Sequence, residues 1–96
     1  MKTYCVDIDG TILYTEFTEN KYIVIKSNCF LIQCMLKWWD EGNKIIIHTG
    51  RHWNHMEDTI KQLKDHGVKY HTLVMGKPPA DIYIDNNAIR PEELCY

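Results

Sequence analysis

The sequence predicts one small α/β domain, in which a mostly parallel sheet lies between two layers of helices in an α/β/α arrangement. Short apolar runs typical of strands alternate with helical patterns along the chain. These runs are continuous rather than alternating in polarity, as in parallel strands that are covered on both faces. A chain of 96 residues has room for a single domain over residues 1–96 and for no second domain beside it.

Four apolar runs are expected to form the parallel strands. In chain order they are Tyr4–Val6, Ile45–Ile47, Leu73–Met75 and Ile82–Ile84. Each run ends at a polar residue or a glycine, and the connections between parallel strands should be right-handed crossovers. The carboxyl ends of all four strands should therefore meet at one edge of the sheet.

Residues 12–26 do not follow this alternation. Two β-type runs, Ile12–Tyr14 and Tyr22–Ile25, flank a polar turn at Glu19–Lys21, which is the pattern of a β-hairpin. Because the hairpin follows the first strand directly, it should lie above the carboxyl end of that strand as a short flap.

The first helix fits between the hairpin and the second predicted strand. Ser27 or Asn28 is a suitable N-cap, and Gly42 is a suitable end signal. The expected apolar stripe consists of Leu31, Cys34, Met35 and Trp38.

The second helix fits between the second and third predicted strands. It should begin at Asn54, since Glu57 three residues later resembles a capping box, and it should end at Gly67. The expected apolar stripe consists of Met56, Ile60 and Leu63.

Composition and charge exclude several classes of protein. The chain has 11 Lys and Arg residues against 13 Asp and Glu residues, without the basic excess of a general nucleic-acid-binding protein. No apolar run is long enough to span a membrane, and the first residues do not resemble a signal peptide, so a cytoplasmic protein is expected. The four cysteines lack metal-ligand spacing, which favours reduced thiols with Cys5 in the core.

Polar side chains gather where the predicted strands end. In chain order these residues are Asp7, Asp9, Thr49, Lys77 and Asp85. Open parallel sheets bind their ligands at this edge. Two carboxylates as close as Asp7 and Asp9 repel each other unless a cation or a proton is shared, and Mg²⁺ takes hard oxygen ligands of this kind.

These residues stand in four segments that resemble, in order, the motifs of the haloacid-dehalogenase-like hydrolases, a large group of Mg²⁺-dependent aspartyl-phosphate phosphatases. The segments are Asp7–Thr11, Ile46–Arg51, Gly76–Asp81 and Ile82–Asn86. The resemblance implies a minimal Rossmann-like domain without a cap domain. The stretch from Lys77 to Glu93 is similar to small members linked to capsular polysaccharide synthesis, which implies a sugar phosphate or a related carbohydrate-pathway substrate.

The resemblance also implies a role for each residue. Asp7 would be the nucleophile that becomes an aspartyl-phosphate, and Asp9 would act as general acid and then as general base. Thr49 and Lys77 would hold the phosphoryl oxygens. The implied Mg²⁺ ligands are Asp7, the main-chain carbonyl of Asp9, Asp85 and Asn86. The remaining substrate contacts are expected from Gly10, Thr11, Gly50 and Arg51, the last as a bidentate clamp on a phosphate or carboxylate.

The sequence departs from the family pattern at one position of the fourth motif, and it leaves several alternative functions open. Many family members carry a second acid where Asn86 stands, so weaker Mg²⁺ binding is expected. A non-catalytic phosphate-binding module, a phosphotransferase or phosphomutase, and a nucleic-acid 3′-end phosphatase stay open as alternatives. The flap cannot enclose a substrate, so we expect either a large phosphorylated substrate or a homo-oligomer that covers the catalytic edge. Tyr14, Phe17 and Tyr22 on the flap are candidates for that contact.

Overall fold

The structure is a computed structural model that describes residues 1–94. In chain order its elements are β1 (Thr3–Val6), β2 (Leu13–Thr18), β3 (Lys21–Ser27), α1 (Cys29–Asp40), β4 (Lys44–His48), α2 (Met56–Asp65) and β5 (Thr72–Val74). β1, β4 and β5 form a parallel sheet with β4 in the middle, and β2 pairs with β3 as an antiparallel hairpin. This architecture confirms the predicted α/β class, with a mostly parallel sheet and a flap after the first strand.

The pairing of β1 with β4 determines which loops meet at the edge of the sheet. The register places Thr3 opposite Lys44 and Val6 opposite Ile47. At the start of this ladder the main-chain N–H of Lys2 donates to Asn43 Oδ1 at 2.8 Å. Because the strands are parallel and in this register, the residues that follow Val6 and those that follow β4 lie side by side.

The hairpin of β2 and β3 turns over two residues. Glu19 and Asn20 have φ values of 50° and 61°, the left-handed conformation that matches the twist of a tight hairpin. Beside the turn, the rings of Phe17 and Tyr22 pack with their centroids 4.6 Å apart. The predicted flap is therefore confirmed, with a turn one residue shorter than expected.

The start of α1 is tied to the loop after β1. Asn28 is its N-cap, and Asn28 Oδ1 accepts a hydrogen bond from the Leu31 N–H at 3.1 Å. The same side chain donates through Nδ2 to the Thr11 carbonyl at 3.2 Å. The helix ends at Asp40, and Gly42 follows with a φ of +84°, as the end signal predicts.

The predicted start of α2 at Asn54 is wrong. A 3₁₀ turn over Trp53–His55 comes first, and the Asn54 N–H donates to His52 Nδ1 at 3.4 Å, so His52 is the residue that caps the turn. The helix itself begins at Met56 without a side-chain cap. A local capping pattern could not separate this turn from the first turn of the helix.

The apolar stripe of α2 also differs from the expectation at one position. Ile60 is 43% exposed, whereas Thr59 and Leu63 are fully buried. Thr59 takes the inward position because its hydroxyl accepts a hydrogen bond from the buried guanidinium of Arg51 at 3.0 Å. Within residues 1–94, no helix combines the length and apolar character needed to cross a bilayer.

The hydrophobic core joins the sheet, both helices and the loop after β1. Its buried members are Val6, Ile8, Ile12, Leu13, Leu31, Ile32, Met35, Ile45, Ile47, Leu63 and Val68. Ile8 and Ile12 belong to that loop and are fully buried. The packing of the core therefore holds the loop that carries the first two aspartates.

The predicted strand Ile82–Ile84 is absent from the described residues. Ile82 is 76% exposed and Ile84 is 94% exposed, and β1 stands at the edge of the sheet. A run of three apolar residues does not by itself distinguish a strand from an extended loop, because a strand also needs a hydrogen-bonded partner. Cys5 is exposed rather than in the core because side chains alternate along β1, and Tyr4 and Val6 take the face that packs against the core. Cys95 lies outside the described residues.

Asn28→Ala should lower the free energy of unfolding by about 1–2 kcal/mol, because the cap acceptor of α1 and the donor to the Thr11 carbonyl are both lost. Asn28→Asp keeps the acceptor for the Leu31 N–H and loses only the donor, so it should recover part of the loss. Urea denaturation followed by circular dichroism measures both variants. Equal destabilisation by the two substitutions would contradict the capping role.

Candidate active site

Asp7 is the first residue after β1, and its carboxylate lies at the carboxyl edge of the sheet. Lys77 Nζ lies 3.8 Å from Asp7 Oδ1, and the Thr11 hydroxyl donates to Asp7 Oδ2 at 3.3 Å. The Asp7 side chain is 33% exposed, so a ligand can approach it. An accessible carboxylate that faces an ammonium group is suited to nucleophilic attack on an anionic ester.

A single main-chain carbonyl organises the loop after β1. The Ile8 carbonyl accepts hydrogen bonds from the N–H groups of Thr11, Ile12 and Leu13. Gly10 has a φ of +80°, which side chains rarely adopt, and its N–H donates to the Leu13 carbonyl at 2.8 Å. Since the N–H groups of Gly10 and Thr11 are used inside the loop, a substrate contact from these residues stays a prediction.

Asp9 lies two residues beyond Asp7, and its carboxylate has different partners. Arg51 Nε donates to Asp9 Oδ2 at 3.0 Å and Arg51 Nη2 donates to Asp9 Oδ1 at 2.8 Å. The Thr15 hydroxyl from the hairpin donates to Asp9 Oδ1 at 2.7 Å. Each carboxylate therefore has its own cation, Lys77 for Asp7 and Arg51 for Asp9, which offsets their repulsion without a shared ion.

Thr49 links the end of β4 to the segment that carries Lys77. Its N–H donates to the Val74 carbonyl at 2.9 Å, and its carbonyl accepts from the Lys77 N–H at 2.8 Å. Its hydroxyl accepts from the Arg51 N–H at 3.2 Å. Thr49 is fully buried, so the observed role is to hold the main chain, and contact with a phosphoryl group stays a prediction.

An open groove of about 1510 Å³ runs along this edge and the free side of β1. The predicted site residues that line it are Asp7, Asp9, Gly10, Thr11, Lys77 and Asp85. The predicted residues outside its lining are Thr49, Gly50, Arg51 and Asn86. The structure thus brings the two aspartates of the first motif and the lysine of the third to one accessible surface.

Asp85 and Asn86 lie in the exposed segment that was expected to be the fourth strand. Asp85 Oδ1 accepts a hydrogen bond from the Asn87 N–H at 3.3 Å. Over residues 1–94, no three Asp, Glu, His or Cys side chains come close enough to hold a metal ion together. The Asp7 carboxylate and the main-chain carbonyl of Asp9 offer oxygen donors, but Asp85 and Asn86 are exposed and do not gather with Asp7. The donor set is therefore incomplete in this arrangement, and the Mg²⁺ site stays a prediction.

The partly buried position of Asp7 makes its ionised form less stable than it would be in water. Burial raises the pKa of Asp7 above its ordinary value. The Lys77 ammonium, the Ile8 main-chain N–H and the Thr11 hydroxyl lower this pKa, whereas the Asp9 carboxylate raises it slightly further. The net pKa of Asp7 stays above its ordinary value. A carboxylate that is raised in free energy in this way is a better nucleophile than one that is fully solvated.

Sequence reasoning missed the side chains that surround the Arg51–Asp9 pair. Thr59 Oγ1 and Gln62 Oε1 accept from Arg51 Nη1 at 3.0 and 2.8 Å. The ring of Tyr22 faces the guanidinium, 4.2 Å from its central carbon. No local motif marks these residues, but Thr59 and Gln62 stand three apart on one helix face, which places both against one neighbour.

The comparisons with known proteins agree with this architecture. A family model described as haloacid dehalogenase-like hydrolase matches residues 4–93. A crystal structure of a target protein from Vibrio cholerae has a TM-score of 0.72 and 26% sequence identity, and the match covers 97% of this chain and 86% of that chain. No curated protein matches the chain. The family match spans all four of the predicted motif segments.

Asp7→Asn should raise the melting temperature at pH 7 without divalent cations, because it removes the cost of keeping a partly buried carboxylate ionised. The pKa of Asp7 is raised in the folded protein, so the stability linked to this group is full below its unfolded pKa. That stability is lost as the pH rises through the raised value. The difference between the variant and the wild type should therefore shrink towards pH 4.

Thermal denaturation in EDTA at several pH values measures this difference. Asp81→Asn removes an exposed carboxylate and is the matched control, which should leave the melting curve unchanged. A gain from Asp7→Asn that does not vary with pH would contradict the prediction.

Proposed function

The chain belongs to the haloacid dehalogenase-like hydrolases, and from this premise we propose that it is a phosphatase that hydrolyses a phosphomonoester through an aspartyl-phosphate on Asp7. The observation that carries the proposal is the pairing of an accessible carboxylate with a lysine at the groove. Asp7 faces Lys77 across 3.8 Å, and Asp9 stands two residues further on. This set provides a nucleophile, a cation for the phosphoryl oxygens and a second carboxyl group for proton transfer.

In the first step a carboxylate oxygen of Asp7 attacks phosphorus, and the bond between phosphorus and the ester oxygen breaks. Asp9 acts as general acid and gives a proton to the departing alcohol. In the second step Asp9 takes a proton from water while the water oxygen attacks phosphorus. The bond between phosphorus and Asp7 breaks, which releases inorganic phosphate and restores both carboxyl groups.

Lys77 supports both steps by its charge. Negative charge on the phosphoryl oxygens is stabilised by a fixed ammonium group, and this stabilisation is larger in a partly buried site than in water. The Lys77 ammonium is held from two sides, by Asp7 and by the face of the Tyr83 ring at 4.1 Å. Its side chain is 20% exposed, which leaves room for a phosphoryl group to approach.

A magnesium requirement is part of the prediction, but no step is assigned to the ion. The Asp7 carboxylate and the main-chain carbonyl of Asp9 are hard oxygen donors of the type Mg²⁺ takes. Asp85 lines the same groove but is exposed, so it would have to approach Asp7 to complete a site. The chain supplies the charge of Lys77 without the ion.

The openness of the groove bears on the substrate. It extends from the aspartates along the free side of β1, and Tyr14 is the one residue of β2 and β3 that lines it. We therefore propose either a large phosphorylated substrate or a homo-oligomer that covers the edge. The resemblance of residues 77–93 separately favours a sugar phosphate or a related carbohydrate-pathway substrate. A nucleic-acid 3′-end phosphatase, a phosphotransferase and a non-catalytic phosphate-binding module are alternatives on the same residues.

Phosphate release from a panel of phosphomonoesters tests the proposal. The panel contains sugar phosphates, nucleotides and an oligonucleotide with a 3′-phosphate. Asp7→Asn should abolish turnover and the alkali-labile phospho-enzyme, because the nucleophile is lost. Asp9→Asn should retain substrate binding and lose about 10²–10⁴-fold in kcat, the usual contribution of a positioned proton donor. Wild-type turnover by Asp7→Asn on any good substrate would overturn the mechanism.

Substitutions at positions 85 and 86 test the predicted ion. Asp85→Ala should abolish Mg²⁺-dependent activity, whereas Asn86→Asp should lower the Mg²⁺ concentration needed for half-maximal rate, because it adds a charge beside Asp85. Isothermal titration of Mg²⁺ into each variant separates binding from catalysis. Unchanged Mg²⁺ affinity in Asp85→Ala would remove this residue from the metal site.

A further inference from the structure

Arg51 is committed to contacts inside the protein. Its guanidinium has five N–H donors. Nε and Nη2 donate to Asp9, and Nη1 donates to both Thr59 and Gln62. Four of the five donors are used in this way, and the residue is 1% exposed. The side chain therefore has no open face with which to clamp a substrate, contrary to the expectation from the sequence.

Three parts of the fold hold Arg51 in place. Its main chain is held at the carboxyl edge of the sheet, where its N–H donates to Thr49 Oγ1 and its carbonyl accepts from the Gly76 N–H at 3.0 Å. The ring of Tyr22 from β3 covers the guanidinium. Gln62 from α2 joins these parts, since its Nε2 donates to the Tyr22 carbonyl at 2.7 Å. Arg51 is thus fixed by the sheet, the hairpin and a helix together.

The two oxygens of Asp9 are not equivalent in this arrangement. Oδ1 accepts from both Arg51 and Thr15, whereas Oδ2 accepts only from Arg51 Nε among the described contacts. A carboxylate has about two acceptor positions on each oxygen. Oδ2 is therefore the oxygen with an unused lone pair, and it is the one that can take up and release a proton.

We infer that Arg51 is a positioning residue for Asp9, which fixes the carboxyl group so that Oδ2 presents the transferable proton to the leaving oxygen and later to water. This inference rests on the proposed function, because it assigns the proton transfer of that reaction to one atom. A bidentate guanidinium removes rotation of the carboxyl group about its own axis. Such fixed orientation of a proton donor is a recognised source of rate enhancement.

Arg51→Lys tests the inference, because lysine keeps the charge but cannot bond to both oxygens and to the helix at once. With an alkyl phosphate, whose alkoxide needs a proton to depart, we expect kcat to fall at least tenfold with KM within about twofold. With 4-nitrophenyl phosphate, whose nitrophenolate leaves unprotonated, the single-turnover release of nitrophenolate should be almost unchanged. Because the phospho-enzyme of Arg51→Lys should be hydrolysed more slowly than it forms, nitrophenolate should appear in a fast burst that is followed by a slow steady rate.

A matched pair at position 59 disturbs Arg51 without touching Asp9. Thr59→Val removes the hydroxyl acceptor at nearly constant volume and should show a weaker form of the same pattern. Thr59→Ser keeps the acceptor and should behave as the wild type. Equal kinetics of the two variants would overturn the role of this contact in holding Arg51.

A double-mutant cycle with Asp9→Asn completes the kinetic test. If Arg51 acts through Asp9, Arg51→Lys should cause no further loss of kcat in the Asp9→Asn background. A substrate clamp would instead raise KM by the same factor in both backgrounds. That outcome would overturn the inference and restore the substrate contact.

A spectroscopic measurement separates this inference from the proposed function. The Asp9 carboxyl carbon and the Arg51 Nε–H can be followed by NMR in the unliganded wild type. We expect Arg51→Lys to shift the carboxyl resonance, and Asp9→Asn to shift the Nε–H resonance, whether or not the panel contains a substrate. If the protein is an active phosphatase but neither substitution shifts the resonance of the other residue, the positioning role alone is overturned. If both resonances shift but the protein releases no phosphate from any substrate, the proposed function is overturned, and the Arg51–Asp9 pair is only a fixed element of the fold.

Discussion

Two carboxylates two residues apart at the end of a buried strand repel each other, and the local structure is organised around offsetting that repulsion. Each aspartate is turned to a separate cation, Asp7 to Lys77 and Asp9 to Arg51. The two cations differ in setting. The lysine lies at the groove and keeps part of its surface in solvent, whereas the arginine is buried and fully engaged. This asymmetry gives two identical side chains two different chemical environments, which separate acid–base and nucleophilic roles require.

The parallel pairing of β1 with β4 makes this arrangement possible. The strands carry Asp7 and Thr49 to the same edge, where the Thr49 carbonyl accepts from the Lys77 N–H and the Thr49 hydroxyl accepts from the Arg51 N–H. The hairpin contributes from the other side through Thr15 and Tyr22. The flap is therefore more than a short connection, because its contacts reach the carboxyl group expected to transfer protons.

Much of the fold followed from patterns that act over short distances. The hairpin, the Asn28 cap and the glycine ends of both helices each depend on a few neighbouring residues, and these were predicted correctly. Two predictions were wrong, the strand Ile82–Ile84 and the inward position of Ile60. Both features depend on partners that are distant in sequence. Thr59 is inward only because a guanidinium lies opposite, and no property of the helix alone reveals that.

In the candidate site, too, short motifs predict some residues, whereas other contacts depend on the whole fold. The motif segments identified Asp7, Asp9 and Lys77 as residues of one edge, and the structure brings these three to one groove. Arg51 was recognised as a cation near the site, but its partner was not, since a side chain that follows a strand can face either the groove or the neighbouring helix. The Arg51 side chain is buried and therefore does not face the groove, and its burial depends on the whole fold.

The distance along the chain between β1 and β4 has a consequence for how the molecule folds. The hydrogen bond between Lys2 and Asn43 spans 41 positions, whereas the hairpin closes over two residues. Local hairpins form in about 1–10 μs, and long-range parallel pairing is slower because chain entropy is lost before its contacts form. We therefore expect the hairpin and the helices to form before the sheet closes. The edge that gathers Asp7, Lys77 and Arg51 comes into existence only at that late step, so partly folded chains carry all the residues of the site and none of its geometry.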